Sequence, residues 1–191
     1  MVLLKALLVL SVAILCDSTT CNFPSPADFE YSDYQGVWYE IGKIQTFGGA
    51  VWQKDCVCTN IEVFPSPTSE PNDAAVINCC RYEAPDGRYT NITGLLEYTG
   101  TMGHWKLSYP AIDPDNKVDY NVILIGEDYA VEYDCGQASN RDGENYCIHI
   151  MSRTPTQDTA LTAELVQKSL DMGLNPRNLP FVATNHDGCW K

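Results

Sequence analysis

The chain has 191 residues, of which 45% are hydrophobic and 19% are charged, so it is long and apolar enough to bury one sizeable core. Its formal net charge of -13 argues against a nucleic acid or an anionic membrane as partner, because phosphate binding requires clustered Lys and Arg residues. We therefore expect a single acidic domain.

The first residues are typical of a secretion signal. Lys5 is followed by an apolar run over 6–15, which is too short to cross a bilayer because a spanning helix takes about 20 residues. We predict a signal peptide over 1–18, with cleavage between 16 and 20, and one mature domain over 19–191. The protein is expected to be secreted and extracellular, with no transmembrane segment.

Two features fit an oxidising, extracellular destination. The chain has nine cysteines, and removal of Cys16 with the signal leaves eight, an even number that favours a disulfide framework. The sequon Asn91-Ile92-Thr93 predicts that Asn91 faces solvent and accepts a glycan, the alternative being that the sequon is never used.

Eight strand-like segments follow in order, separated by clusters of Gly, Pro, Asn and Asp. They cover residues 36–43, 56–64, 75–82, 88–98, 105–109, 118–125, 129–135 and 146–152. Short connections favour antiparallel neighbours, and eight strands are enough to close a barrel around one small ligand. The spacing of apolar residues then predicts a helix over 158–172, ended by Gly173.

The predicted fold is therefore all-β: an eight-stranded antiparallel up-and-down β-barrel with one C-terminal α-helix packed outside. The alternative, a β-sandwich, would require longer crossing connections and would not account for the helix.

Alternation along the strands predicts which side chains face the barrel interior. We place Asn91, Glu132 and Asp134 outside, because glycan acceptors and charged groups favour water. The resulting interior is apolar and rich in tyrosine, which suggests a ligand cavity, although aromatic residues also simply favour strands. The predicted ligand-binding residues are Tyr82, Ile92, Leu96, Tyr98, Trp105, Leu107, Tyr109, Tyr120, Val122 and Tyr133.

Two motifs bracket the strand region. Gly36-Val37-Trp38-Tyr39 opens the first strand, and Ser152-Arg153-Thr154-Pro155 closes the last. Together with the helix that follows, they resemble the lipocalins, small secreted barrels that carry apolar ligands. The resemblance implies structural roles for Gly36, Trp38 and Arg153, in which the tryptophan plugs the closed end and the arginine lies across it as a cation over an aromatic face.

The C-terminal segments are similar to the apolipoprotein D, bilin-binding protein and crustacyanin branch of the lipocalins. In that branch one bridge ties the N-terminal segment to the end of the seventh strand, and another ties the second strand to the C-terminal tail. Carried over to this chain, the resemblance implies the pairs Cys21 with Cys135 and Cys56 with Cys189.

The remaining cysteines are extra to that pattern. If the second and third strands pair as a hairpin, Cys58 opposes Cys79 or Cys80. We favour Cys79, because it lies two residues before Arg81 and so shares the outward direction of that arginine. The same hairpin argument places Cys147 opposite Cys135, which competes with the bridge implied by the resemblance.

The leading interpretation is an extracellular carrier of an apolar small molecule, with no reaction, no metal and no required cofactor. Bilins, carotenoids, retinoids, sterols and fatty acids all fit, and the branch resemblance favours a pigment such as a bilin or carotenoid. Phe47 and Trp52 lie on a long loop that folds over the barrel mouth in lipocalins, so they are predicted lid contacts; the alternative is ordinary loop packing.

Two other classes stay open, as does the oligomeric state. A lipid-isomerising enzyme would use a free thiol at Cys80, although no cation that would activate it is evident on the inward faces. A defensive scavenger of haem or amines would suit the acidic balance, although Asp and Glu fall mostly on the predicted outer faces. His104, His149 and His186 are too scattered to support a catalytic triad or a zinc site.

Overall fold

The computed structural model describes residues 23–66, 70–136, 145–156 and 158–189. The predicted signal peptide and Cys21 lie outside the described residues. The signal peptide and the disulfide proposed for Cys21 therefore stay predictions.

Within the described residues, eight antiparallel strands close a barrel and a ninth, short strand extends the sheet. The strands are β1 (Gly36–Gln45), β2 (Cys56–Pro65), β3 (Ala74–Tyr82), β4 (Tyr89–Thr101), β5 (His104–Tyr109), β6 (Asp113–Ile125), β7 (Tyr129–Cys135), β8 (Tyr146–Ser152) and β9 (Val182–Ala183). Their order is β2-β3-β4-β5-β6-β7-β8-β1-β9, and β1 also pairs with β2 to close the ring. The predicted fold class is confirmed.

The described helices are short apart from the C-terminal one. They are α1 (Tyr31–Tyr34), a 3-10 turn (Val51–Gln53) and α2 (Thr159–Asp171). The Asp158 carboxylate caps α2 by accepting the N–H groups of Ala160 and Leu161. None of the helices in the described part of the chain has the length and apolar character needed to cross a membrane.

The closed end of the barrel is plugged by aromatic residues. Trp38 is completely buried, and its indole Nε1 donates to the Tyr34 carbonyl at 2.8 Å. Arg153 Cζ lies 3.5 Å from the Trp38 ring centroid, and its guanidinium donates to two backbone carbonyls in 33–37. Gly36 has a φ of +91°, a conformation that a residue with a Cβ rarely adopts. The structure thus places Gly36, Trp38 and Arg153 together at one end.

Apolar side chains form two clusters, one on each face of the sheet. The inner cluster fills the closed half of the barrel and includes Tyr34, Trp38, Leu96, Trp105, Leu107, Val122 and Met151. The outer cluster lies between the barrel wall and α2 and includes Ile44, Ile123, Val131, Tyr133, Ile148, Ile150 and Leu165. Helix α2 therefore covers the outer faces of β1, β6, β7 and β8.

Strand β7 faces the opposite way from the prediction. Its apolar residues Val131 and Tyr133 pack outward in the cluster beneath α2, whereas Glu132 and Asp134 point into the barrel. The prediction that Tyr133 faces the interior is wrong, because it rested on the rule that charged residues face water. Here the outer face is covered by a helix, so that face is the apolar one.

Two predicted disulfide pairs are wrong. The structure joins Cys56 to Cys80 and Cys58 to Cys189, in place of the expected pairs Cys56 with Cys189 and Cys58 with Cys79. Cys79 carries a free thiol.

The cause is an irregularity in the β2–β3 pairing. The register shifts between Val57 and Asn60, so simple alternation fails along this part of β2. Cys58 has a φ of 55°, and its N–H donates to the Asn185 carbonyl at 2.9 Å. This contact brings Cys58 close to the tail segment that carries Cys189. Cys56, the preceding cysteine of β2, then bonds across the hairpin to Cys80.

A further bridge begins at Cys135. This residue is disulfide-bonded, and Cys21, its predicted partner, lies outside the described residues. The predicted bridge to Cys21 therefore stays a prediction. Cys147, which the hairpin argument placed opposite Cys135, has a free and buried thiol.

Candidate ligand-binding site

A cavity of about 350 Å³ lies inside the barrel, beyond the Trp38 plug. All eight barrel strands contribute side chains to its wall. The volume is at the lower end of the range for small-molecule sites, so the cavity suits one compact ligand.

One part of the wall is apolar. It consists of aliphatic side chains and a thioether from five different strands: Ile61, Val76, Ile92, Leu107 and Met151. Burying a hydrocarbon group against such a surface is favourable at roughly 25 cal/mol per Å² removed from water. This part of the cavity is therefore built for the apolar portion of a ligand.

Half of the predicted ligand-binding residues line this cavity, namely Trp52, Tyr82, Ile92, Leu107, Tyr109 and Tyr120. Four others face the interior but belong to the packed closed half or its edge, namely Leu96, Tyr98, Trp105 and Val122. The last two lie elsewhere: Tyr133 is in the outer cluster, and Phe47 is 85% exposed on its loop.

The two predicted lid residues differ in position. Trp52 sits on the 3-10 turn and lines the cavity while 60% exposed, so it borders the mouth. Its neighbour Gln53 ties the turn to the barrel, donating from Nε2 to Asn78 at 3.1 Å and accepting at its carbonyl from Lys43 at 3.0 Å. Phe47 contacts Lys54 instead, whose Nζ is 5.6 Å from the ring centroid.

The other part of the cavity is acidic, and it is organised around Glu40 of β1. Glu40 is 1% exposed; its Oε1 accepts from Lys43 Nζ at 2.9 Å and from Thr184 Oγ1 at 2.6 Å, and its Oε2 accepts from His149 Nδ1 at 2.7 Å. Burial alone would raise the pKa of Glu40, but these neighbours outweigh it and hold the pKa well below its usual range. Both carboxylate oxygens of Glu40 therefore have hydrogen-bond partners within the protein.

Glu132 of β7 is held by tyrosine hydroxyls. Its Oε1 accepts from the Tyr34 hydroxyl at 2.5 Å, and that hydroxyl also bonds to the hydroxyl of Tyr120. Burial raises the pKa of Glu132, while the nearby charge of His149 and the tyrosine hydrogen bonds oppose the rise. The same burial raises the pKa of both tyrosines, so their hydroxyls stay protonated and able to donate.

Asp134, two residues further along β7, is the least satisfied of the three acids. It is 5% exposed; its Oδ2 lies 3.7 Å from His149 Nε2, beyond hydrogen-bond distance, and its Oδ1 has no hydrogen-bond partner within the described chain. Burial raises the pKa of Asp134 to about 7, the charge of His149 opposing this shift and that of Glu132 adding to it. Asp134 therefore changes its charge near neutral pH.

His149 and Cys147 lie side by side on β8. Burial disfavours the imidazolium, but the Cys147 sulfur and the Glu40 carboxylate outweigh that cost and raise the pKa of His149 well above its ordinary value. Burial also raises the pKa of the Cys147 thiol, which is completely inaccessible and does not line the cavity. A protonated, inaccessible thiol is a poor nucleophile.

The acidic side of the cavity was missed by reasoning from the sequence. Its members Glu40, Glu132 and Asp134 were either not considered or placed outside. A signal was present: the predicted helix must bury its apolar stripe against strands whose outer faces are apolar, and Val131 and Tyr133 offer such a face. If the face of β7 that carries Val131 and Tyr133 is assigned to the contact with the helix, Glu132 and Asp134 are predicted to point into the barrel.

Two further predictions concern the surface and metals. Asn91 is exposed at the edge of the cavity mouth, as a glycan acceptor must be, and its glycosylation stays a prediction. In the part of the chain that the structure describes, no group of three or more His, Cys, Asp or Glu side chains is arranged to hold a metal ion.

A closed eight-stranded antiparallel barrel with an internal cavity and one outer helix defines the class of small ligand-binding barrels. The family model described as a lipocalin-like domain matches residues 29–184, most of the chain. The chain therefore belongs to the lipocalin family. A search of curated proteins found no significant sequence match.

Solved structures share this fold at low sequence identity. Insecticyanin from the tobacco hornworm Manduca sexta has a TM-score of 0.63 and 19% identity, with 89% of each chain covered. Lobster apocrustacyanin A1 has a TM-score of 0.58 and 16% identity, covering 80% of this chain and 77% of its own. Apocrustacyanin C2 has a TM-score of 0.57 and 15% identity, covering 81% of this chain and 79% of its own.

Proposed function

We propose that the protein is a secreted carrier that binds one small hydrophobic ligand inside its barrel. The observation that carries this proposal is the cavity of about 350 Å³ with an apolar wall drawn from five strands, in a chain of the lipocalin family. A preformed apolar cavity binds a ligand mainly by removing hydrocarbon from water, at little cost in reorganising the protein.

Two considerations bear on the ligand. The branch that the sequence resembles favours a pigment such as a bilin or carotenoid, with retinoids, sterols and fatty acids as the other candidates. The cavity volume favours a compact molecule, so a longer ligand would have to extend past Trp52 at the mouth. The ligand extracted from the native protein distinguishes these cases.

Secretion is part of the proposal. It is supported by the predicted signal peptide over 1–18 and by the disulfides Cys56–Cys80 and Cys58–Cys189, since such bridges persist in oxidising compartments.

The enzyme alternative named a free thiol at Cys80, and this residue is bonded to Cys56. The buried Cys147 thiol does not line the cavity, and burial raises its pKa. Among the described residues, Cys79 is the thiol that is both free and part of the cavity wall, so a thiol-dependent activity would have to use Cys79.

The first experiment is an absorption spectrum and a mass spectrum of the ligand extracted from protein purified under non-denaturing conditions from its native source. A visible band with a co-purifying pigment would support the carrier and name the ligand class. A colourless protein with a bound fatty acid or sterol would keep the carrier and contradict the pigment.

The second experiment fills the cavity. Ile92 lines it, whereas Leu95 lies three residues further along the same strand and does not. Ile92→Trp is expected to abolish binding of N-phenyl-1-naphthylamine, an uncharged fluorescent probe, and Leu95→Trp is expected to preserve it. Equal binding by both variants would contradict a ligand site in the barrel.

A further inference from the structure

The acidic side of the cavity has more acidic than basic side chains. Glu40, Glu132, Asp134 and His149 line it, and Lys43 lies buried behind Glu40. Both cations bond directly to Glu40. The described residues that line the cavity include no Lys or Arg, and the ion pair between Asp134 Oδ2 and His149 Nε2 is long, at 3.7 Å.

The imbalance coincides with unmet hydrogen bonding. Asp134 Oδ1, Thr59 Oγ1 and Gln53 Oε1 are buried without a partner in the described chain, and all three residues line this one cavity. A buried polar atom without a partner costs about 1–3 kcal/mol, and a buried charge without one costs more. Such groups persist at sites where a ligand supplies what is absent from the protein.

We propose that the ligand is an apolar amine, whose ammonium group pairs with the Asp134 carboxylate while its hydrocarbon part lies against the wall formed by Ile61, Val76, Ile92, Leu107 and Met151. This inference rests on the proposed carrier function and names the chemical class of its ligand.

A cation satisfies the site better than the alternatives do. An ammonium group brings one positive charge and three donors, which matches a carboxylate whose ion pair is long and whose Oδ1 has no partner in the described chain, together with the nearby acceptors. A neutral donor would fill the hydrogen bond to Asp134 but leave the charge imbalance, and an anionic ligand would be repelled by Glu132 and Asp134. The apolar wall then requires that the remainder of the cation be hydrocarbon.

The pairing is linked to protonation of Asp134. Since its pKa is about 7, the amine finds a neutral carboxyl group below that pH and a carboxylate above it. Affinity is therefore expected to rise with pH through about 7 and to level off while the amine stays protonated. The titratable and charged groups that surround Asp134 in this cluster are Glu132 on β7, Cys147 and His149 on β8, Glu40 and Lys43 on β1, Tyr109 on β5, Tyr120 on β6 and Tyr34 on α1.

The test compares two probes of the same shape and different charge, 2-phenylethylamine and 2-phenylethanol, as competitors of N-phenyl-1-naphthylamine at pH 6 and pH 8. The full mature protein is compared with Asp134→Asn and with Glu97→Gln, which removes the same charge from an exposed surface pair with Lys117. At pH 8 the amine is expected to bind the unmodified protein about tenfold or more tightly than the alcohol.

Asp134→Asn is expected to remove that preference and its pH dependence while leaving the alcohol unaffected, and Glu97→Gln is expected to retain both. Equal affinity for the amine and the alcohol would overturn the inference and leave the carrier intact, because the naphthyl probe would still bind. A preference that survives in Asp134→Asn would also overturn it. If none of the three compounds binds in calorimetry, the carrier function itself fails. Circular dichroism of each variant reports whether the fold is kept.

Discussion

The two halves of the barrel interior are built from the same strands but have opposite chemistry. Along β1, Trp38 belongs to the aromatic plug, and Glu40, the next inward residue, belongs to the acidic cluster. On β8, Met151 lies in the inner core and His149 on the acidic side. An inward position therefore does not dictate an apolar residue, because inward residues of one strand include both core residues and acidic or basic residues that face the cavity.

The largest expected effect concerns the closed half. Trp38→Ala removes a completely buried indole and the surface beneath Arg153, so we expect a loss of about 3–5 kcal/mol in the free energy of unfolding. Urea denaturation measures it, and Trp52→Ala at the exposed mouth is the matched control, expected to change stability by less than about 0.5 kcal/mol. Similar losses in the two variants would mean that the closed half is not the stabilising one.

The next effect concerns the hub of the acidic half. Glu40→Gln leaves Lys43 and His149 buried without their carboxylate, so we expect a loss of about 3 kcal/mol in unfolding free energy at pH 7. The exposed pair of Glu97 and Lys117 offers a comparison, since Glu97→Gln should cost less than about 1 kcal/mol. A Glu40 variant as stable as the Glu97 variant would show that the cluster is solvated.

A smaller effect has the opposite sign. Because the pKa of Asp134 is raised to about 7 in the folded state, the native protein holds a proton that the unfolded chain has already lost, and stability contributed by this residue falls as pH rises from about 4 to 7. Asp134→Asn removes this dependence, so its stability relative to the unmodified protein is expected to increase by about 2 to 3 kcal/mol between pH 5 and pH 8. Thermal unfolding at pH 5 and pH 8 measures the difference, and a constant offset at both pH values would contradict the assignment.

The smallest effect concerns the mouth. Trp52→Ala removes an aromatic side of the cavity, so we expect a few-fold weaker binding of N-phenyl-1-naphthylamine. Phe47→Ala on the same loop should leave affinity unchanged, because Phe47 does not line the cavity. Fluorescence titration of both variants tests whether the loop has one functional aromatic residue or none.

The sequence was sufficient to predict the barrel and its plug, because both depend on local signals. Turn residues separate the strands, alternation identifies Ile92 and Leu107 as inward, and the two motifs identify Trp38 and Arg153. Those signals are repeated along the chain, so small errors in strand bounds did not alter the fold.

The acidic half was not predicted, because it depends on contacts between distant elements. The inward direction of Glu132 and Asp134 follows from the packing of α2 on the other face of β7, and sequence reasoning had treated that face as solvated. The disulfides of Cys56 and Cys58 depend on a register shift within β2, which leaves no mark in the alternation of residue types.

The C-terminal tail lies outside the barrel, yet it reaches the chemistry within. Thr184 donates to Glu40, His186 bonds to the backbone carbonyl of the same residue, and the bridge from Cys58 to Cys189 fastens this segment to β2. Cutting the chain before Thr184 would remove that hydroxyl donor from the Glu40 carboxylate. The C-terminal segment is therefore coupled to the electrostatics of the cavity.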